Sequence, residues 1–391
     1  MVKPFQFARV PRILFGNGMI SKLPGIAEGY GKNLIIVTGR GSFASSEYCG
    51  RLLEELETRG IEYHIVSIPG EPSPDDIDDT VKRFEGTEID LVTGIGGGSA
   101  VDAGKVISAM LGKKESVIDF LEGVGKLEHP GTRVPFIAVP TTSGTGSEAT
   151  KNAVISVIGK EGFKRSLRHD NLVPDIALVD PDLTISCSPE ITAASGMDCF
   201  TQLTEAFLSD KGNPYTDALA LESLKSLKTS LEKSYFDGSD RDARAGMSFA
   251  ALTSGICLAN AGLGTVHGFA SSIGGMYEIP HGLVCGSLMA KANEINVREL
   301  RKSGESEASL KKYSLLGQLF LNEKDKTENY YIDGFIDYLQ SLAVTFRFPG
   351  LKRFGVSDDD VSKICLITEN KNNPVKLPIE NLEEILRSRL F

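Results

Sequence analysis

Between residues 33 and 140 the chain repeats one pattern four times: a short, β-branched apolar run that stops at Gly, Pro, Ser or Thr, then a helical stretch. The runs are 33–38 (NLIIVT), 62–68 (EYHIVSI), 91–95 (LVTGI) and 135–140 (PFIAVP). Parallel strands cannot be joined by tight turns, so this alternation predicts a parallel sheet with helical crossovers. Ahead of it, 5–10 and 12–15 suggest a small hairpin. After 181–184 (PDLT) strand-like runs become rare and apolar residues recur at helical spacing, as at Ala218, Leu221, Leu224 and Leu227. The expected division is an α/β unit over 1–184 and an all-helical unit over 185–391. Two units suit a chain of 391 residues, longer than one hydrophobic core usually serves. The mixed-charge stretch 301–312 reads as a solvated loop or helix face.

A net charge of -10 opposes any general grip on nucleic acid or anionic membrane. The six cysteines, Cys49, Cys187, Cys199, Cys257, Cys285 and Cys365, include no C-x-x-C pair, so neither a disulfide framework nor a thiolate zinc site is expected. Residues 1–12 lack the apolar core of a signal peptide, and no apolar run reaches membrane-spanning length. A cytoplasmic protein without membrane or nucleic-acid partners is the expectation.

The segment 94–105 (GIGGGSAVDAGK) follows a predicted strand and opens a predicted helix. Its N–H groups can converge on an anion with the helix dipole behind them. It matches neither the G-x-x-x-x-G-K-[ST] phosphate loop nor a regular G-x-G-x-x-G, and by itself is equally a tight turn. A second polar loop, 140–150 (PTTSGTGSEAT), carries hydroxyls at Thr141, Thr142, Ser143, Thr145 and Ser147. Two such loops at neighbouring strand ends form one crevice, the place where open α/β sheets bind nucleotides.

The pair GGGS-x-x-D-x-x-K (96–105) and PTTSGTGSE (140–148) is followed by PDIALVD (174–180), Gly196-Met197-Asp198, Gly262-Leu263-Gly264, His267-Gly268 and Pro280-His281-Gly282. In this order the motifs resemble the iron-type (group III) metal-dependent alcohol dehydrogenases, up to roughly residue 290. From roughly residue 300 onward the match is loose, through Asn373-Pro374 and the helix expected after it. The resemblance implies a Rossmann-like dinucleotide-binding domain followed by an all-helical domain, the dehydroquinate synthase-like fold. It also implies a homodimeric NAD(P)-dependent oxidoreductase that interconverts a small primary alcohol and its aldehyde by metal-assisted hydride transfer. Gly97, Gly98 and Ser99 would lie on the coenzyme pyrophosphate, with Asp102 in the same segment. Thr141, Thr142 and Thr145 would flank the adenine or phosphate side, and Lys164 would approach the nicotinamide ribose. Without the resemblance, Lys164 reads as an exposed lysine on a polar turn, 160–168.

Relatives that use NAD often carry Asp directly after the strand matching 33–38, where it holds the ribose 2'-OH and repels a 2'-phosphate. This chain has Gly39, Arg40, Gly41 and Ser42 there. NADP(H) is therefore the expected coenzyme, with NAD(H) as the second choice; read alone, the loop is a Gly-rich turn.

The family pattern for a divalent ion, Fe2+ or Zn2+, is Asp-x3-His and then His-x13-His. Asp198, His267 and His281 match, but position 202 is Gln. Asp198 and Gln202 are four apart on a predicted helix and share a face. Gln202 could ligate through its side-chain carbonyl, a poorer donor than imidazole for these metals, so the expected outcomes are weaker binding, a changed metal preference or a three-ligand site with extra water. One helical turn after His267, where many relatives have a second histidine, stands Ser271, which does not titrate near neutral pH. The expected catalytic set is thus Asp198, His267, His281 and Ser271, with Phe249, Phe269 and Tyr277 as candidate lining residues. His169 receives no role. Two alternatives stay open: a metal-independent reductase of the same superfamily, maleylacetate reductase-like, and a coenzyme-binding protein that lost catalysis through Gln202 and Ser271.

Overall fold

The computed structural model describes residues 4–304 and 307–391. Its strands are β1 (Arg12–Phe15), β2 (Asn33–Thr38), β3 (Glu62–Ser67), β4 (Leu91–Gly96), β5 (Phe136–Pro140), β6 (Asn152–Val157), β7 (Phe163–Arg168) and β8 (Ile176–Val179). Six of them form one all-parallel sheet in the order β3-β2-β4-β5-β8-β1, while β6 and β7 pair as an antiparallel hairpin. The helices of this half are α1 (Leu23–Glu28), α2 (Glu47–Thr58), α3 (Pro74–Arg83) and α4 (Gly98–Met110). The central strands read as continuous apolar runs because both their faces are covered. Ile35, Val37, Val92 and Ala138 join the core on the side of α3 and α4. Their alternates Leu34, Ile36, Ile95, Ile137 and Val139 pack on the side of α1 and α2. The chain leaves β2 toward β3 on one side and then returns to place β4 on the other. The carboxyl ends of β2 and β4 therefore flank the topological switch point, where such sheets bind ligands.

The expected N-terminal hairpin does not form. β1 pairs in parallel with β8, from Arg12 opposite Ile176 to Phe15 opposite Val179. Residues 5–10 are not a strand: Phe5 and Phe7 lie 5.5 and 5.8 Å from the Tyr215 ring, and Ala8 N donates to Asn260 Oδ1 at 2.6 Å. Val10-Pro11 lacks hairpin turn chemistry, and the free edge of β8 together with aromatic packing on the helical half outweighs a local pair.

The helical half comprises α5 (Pro189–Leu208), α6 (Pro214–Phe236), α7 (Arg241–Ala261), α8 (Thr265–Met276), α9 (His281–Ser303), α10 (Glu307–Phe320), α11 (Glu328–Thr345), α12 (Val361–Ile367) and α13 (Ile379–Arg387). Ser188 caps α5 by accepting from Ile191 N, with Pro189 in the first turn. From Gly196 to Leu208 every residue of α5 is buried, because α6, α7 and α9 surround it. Among the described residues no single helix is long and apolar enough to cross a membrane; α7 and α8 together would be, but the chain bends by 99° between them. The stretch 301–312 ends α9 and begins α10, with Arg301 paired to Asp333 at 2.8 Å on the exposed surface; residues 305 and 306 lie outside the described residues.

The halves meet where Ala149, Ala177 and Val179 pack against Leu252 and Ile256 of α7. The approach is closest at Gly146, whose φ is +62° and whose Cβ, if present, would lie 2.4 Å from Gly255 N. Only glycine satisfies both conditions there.

Candidate active site

Helix α4 starts directly after β4, with Gly97 as a cap that offers no side-chain acceptor. The N–H groups of Gly98 and Ser99 are left for an outside partner, with the positive end of the helix dipole behind them. A Cβ on Gly98 would lie 2.7 Å from Thr145 Cγ2, so the two polar loops touch across the crevice. The D-x-x-K part of the motif builds that contact. Asp102 accepts from Ser147 Oγ and from Val154 N at 2.9 Å. Lys105 Nζ donates to the carbonyls of Ser147 at 2.8 Å, Thr150 at 3.0 Å and Asn152 at 2.8 Å. Burial pushes the Lys105 pKa down to about 8 and that of nearby Glu148 up to about 7. Asp102 is a buried strut whose oxygens are occupied by the second loop and the hairpin.

From the head of α4 a cavity of about 540 Å³ extends to the helical half, lined by Gly98, Ser99, Asp102, Thr145, Lys164, Asp198, Gln202, His267, Ser271 and His281 among others. Gly97, Thr141, Thr142 and the Gly39–Ser42 loop (Gly39, Arg40, Gly41, Ser42) do not line it. Gly39 is nevertheless adjacent, since a Cβ on Gly96 would lie 3.4 Å from Gly39 N. Lys164 is not on a polar turn: it belongs to β7, its side chain is 10% exposed, and Nζ lies 3.0 Å from Glu71 Oε2. Burial opposes ionisation of Glu71, but Lys164 and His281 outweigh it and lower its pKa.

The three aromatic lining candidates are not in the cavity wall. Phe249 stands edge-on to Phe15 at 6.4 Å, Phe269 is fully buried in core, and Tyr277 packs on the α8–α9 core and bonds to Asp360. Each sits on the core or outer side of its element, where large apolar side chains go by default.

At the far end of the cavity, Asp198 of α5 is approached by four side chains. His267, in the first turn of α8, places Nε2 3.1 Å from Asp198 Oδ1. His281, the first residue of α9, places Nε2 3.8 Å from the same oxygen. Cys285, one turn further along α9, places Sγ 3.7 Å from it. Gln202 turns its amide nitrogen to Asp198 Oδ1 at 3.3 Å, while its oxygen accepts from Ser254 Oγ at 3.1 Å. Behind the cluster, Glu205 accepts from His267 Nδ1 at 2.7 Å and from Val266 N at 2.7 Å. This carboxylate fixes the ring and leaves Nε2 to face Asp198.

Burial opposes charge on His267, yet Cys285, Asp198 and Glu205 prevail and raise its pKa well above the usual value. Burial also opposes charge on Asp198, but the hydrogen bond with His267 leads the interactions that outweigh it and lower its pKa. For His281 burial wins and pushes the pKa down to about 4, which keeps the imidazole neutral. Burial pushes the Cys285 thiol up to about 11. One ligand atom each from Asp198, His267, His281 and Cys285 falls within 4.8 Å of all the others. Buried His281 Nδ1 has no hydrogen-bond partner. A carboxylate, imidazoles and a thiol converging on one point fit a divalent ion.

Sequence reasoning singled out Asp198, Gln202, His267, Ser271 and His281 but missed Glu205, Cys285 and Glu71. The signal for two of them was present. Glu205 continues the Asp198–Gln202 face at i+7, and Cys285 follows His281 at i+4.

The family profile described as iron-containing alcohol dehydrogenase matches residues 11–181. The profile of the C-terminal part of the Fe-containing alcohol dehydrogenase family matches residues 192–390. Long-chain-alcohol dehydrogenase 1 of Geobacillus thermodenitrificans is 38% identical over 230 residues, which span 58% of this chain and 57% of that protein. The NADPH-dependent butanol dehydrogenase of Clostridium saccharobutylicum is 29% identical over 387 residues, 96% of each chain. The solved alcohol dehydrogenase from Oenococcus oeni superposes with a TM-score of 0.87 at 28% identity, covering 99% of this chain and 100% of that one. With both profiles matched in order and the fold shared from end to end, the chain belongs to the iron-containing alcohol dehydrogenase family.

Proposed function

We propose that this chain is an NADP(H)-preferring oxidoreductase that interconverts a small primary alcohol and its aldehyde. The observation that carries the reading is one cavity that joins the uncapped N-terminus of α4 to the cluster around Asp198. The N–H groups of Gly98 and Ser99 would bind the coenzyme pyrophosphate, with Gly97, Thr141, Thr142 and Thr145 shaping the loops around it. Gly39, Arg40, Gly41 and Ser42 would take the adenosine 2'-phosphate, since no carboxylate stands in that loop to repel it. The relative named for NADPH supports this choice. Lys164, held by Glu71, would bond the nicotinamide ribose.

Asp198, His267 and His281 would hold a divalent ion. When bound, such an ion would supply Lewis acidity toward a substrate oxygen, and the coenzyme would supply the hydride chemistry. Glu205 keeps a proton on His267 Nδ1, so that Nε2 offers a lone pair to the ion. Ser271 lines the cavity and would pass a hydrogen bond without titrating near neutral pH. In this reading, 1–184 is the coenzyme domain and 185–391 the ion and substrate domain. We read the protein as a cytoplasmic homodimer; edge strand β1, with Ile13 and Phe15 exposed, is a surface suited to a second copy.

The test is steady-state turnover of a panel of primary alcohols and their aldehydes with NADP(H) and with NAD(H). Saturable turnover with higher kcat/KM for NADP(H) is expected. A strong preference for NAD(H) would refute the coenzyme assignment, and no turnover on the panel would refute the substrate class.

A further inference from the structure

The cluster around Asp198 lacks one imidazole of the family's set, and the structure puts a sulfur beside the gap. Position 202 supplies an amide whose oxygen is engaged by Ser254 and whose nitrogen, a donor, faces Asp198. An N–H group cannot ligate a cation. Cys285 is buried, lies one turn after His281 on α9, and sends Sγ to 3.7 Å from Asp198 Oδ1 and 3.9 Å from His267 Nε2.

Four donors in tetrahedral array around zinc, at the bond lengths typical of proteins, stand about 3.4 Å apart for N···O and about 3.6 Å for S···O or S···N. Here His267 Nε2 and His281 Nε2 are 3.1 and 3.8 Å from Asp198 Oδ1, and Sγ is 3.7 and 3.9 Å from its two neighbours. Each of these four separations is within about half an ångström of the array, and the other two are no more than 4.8 Å. Three helices deliver the set: Asp198 projects from α5, His267 from the first turn of α8, and His281 and Cys285 share a face of α9.

We infer that Cys285 replaces the missing imidazole, so that the ion is held by Asp198, His267, His281 and Cys285, with zinc favoured over ferrous iron and the substrate oxygen added as a fifth donor. Gln202 is then not a ligand; it is a hydrogen-bonding neighbour that links Asp198 to Ser254. One carboxylate and one thiolate balance the two charges of the ion, whereas a carboxylate with three imidazoles leaves one charge over. A soft sulfur donor also moves preference toward zinc. The inference rests on the metal-dependent reading above.

The test uses the full-length protein, stripped of metal and reloaded with Co2+ or Zn2+, with bound metal measured directly. The wild type is expected to take up one ion per chain and, with Co2+, to show a thiolate-to-cobalt charge-transfer band in the near ultraviolet. Cys285→Ala and Cys285→Ser should both lose the band. Loss of an outer partner of a ligand already weakens metal binding about 10–100-fold, so removal of Cys285 should cost at least the upper end of that range. The double variant Gln202→His with Cys285→Ala should regain affinity without regaining the band. Bound Co2+ in the wild type with no such band, metal affinity in Cys285→Ala equal to wild type, or no uptake of either metal would overturn the assignment. NADPH titration of the same samples reports folding and coenzyme binding separately. Its failure in the wild type would instead overturn the proposed function.

Discussion

At the Gly98 end of the cavity the groups that face a ligand are backbone N–H donors at the head of a helix, whereas at the Asp198 end every such group is a side chain. The first end needs only that residues be small and that the loop be anchored, which Lys105 and Asp102 do from below. The second end depends on which side chains four helical positions happen to carry. A donor lost at 202 can be answered by a donor gained at 285, on a different helix, with no change in the fold. A site made of backbone is thus fixed by shape, and a site made of side chains can be rebuilt one atom at a time.

The largest effect expected from testing this contrast is at His267. His267→Ala should lower kcat/KM by about 10³-fold, the several kcal/mol that a Lewis acid supplies, while leaving NADPH affinity unchanged by fluorescence titration. A parallel loss of coenzyme binding would break the separation of the two ends. Glu205→Gln should weaken metal binding by about 10–100-fold, because the His267 ring loses the carboxylate that orients it. Equilibrium dialysis against a competing chelator measures that change. In the opposite direction, Gly98→Val should push Thr145 aside and weaken NADPH binding about tenfold, roughly 1.4 kcal/mol, with metal content as in the wild type.

The smallest effect serves as a control remote from both ends. Arg298, with Lys291, holds the Glu384 carboxyl down to about 2. A carboxylate whose folded pKa lies below its unfolded value adds stability above the unfolded pKa, near 4.5, and loses it as pH falls from there toward 2. The Glu384 side chain is 40% exposed, so solvent screening limits the contribution to less than about 1 kcal/mol. Glu384→Gln should therefore flatten the melting temperature slightly between those pH values and leave coenzyme and metal binding untouched.

Strands β2, β4 and β5 were legible because burial on both faces makes a strand apolar along its whole length, and the half-exposed edge strand β3 because Ile65 and Val66 are β-branched; each predicted run matches its strand to within a residue at either end. The hairpin β6–β7 was not, since only one of its faces is covered and Lys164, Arg165 and Arg168 make it look like a turn. The N-terminal segment was misread because its partners, Tyr215 and Asn260, are more than 200 residues away. Cys285 was overlooked although it stands one helical turn after His281, because its contact with Asp198 spans 87 residues of sequence. The His281–Cys285 spacing marks a shared helix face, but Cys285 meets Asp198 only because α9 packs against α5. The paired loops were readable for the reason the backbone end is robust: glycines at a strand-to-helix turn leave a pattern, whereas the direction of one amide at Gln202 leaves none.

The central claim is that coenzyme binding belongs to one end of the cavity and substrate activation, through an ion, to the other. The most direct measurement removes the ion from purified protein, verifies the removal by metal analysis, and follows NADPH uptake and aldehyde reduction before and after Zn2+ is restored. The account predicts unchanged NADPH uptake, loss of turnover on removal and its return on reloading. Turnover that proceeds at full rate in metal-free protein would contradict it.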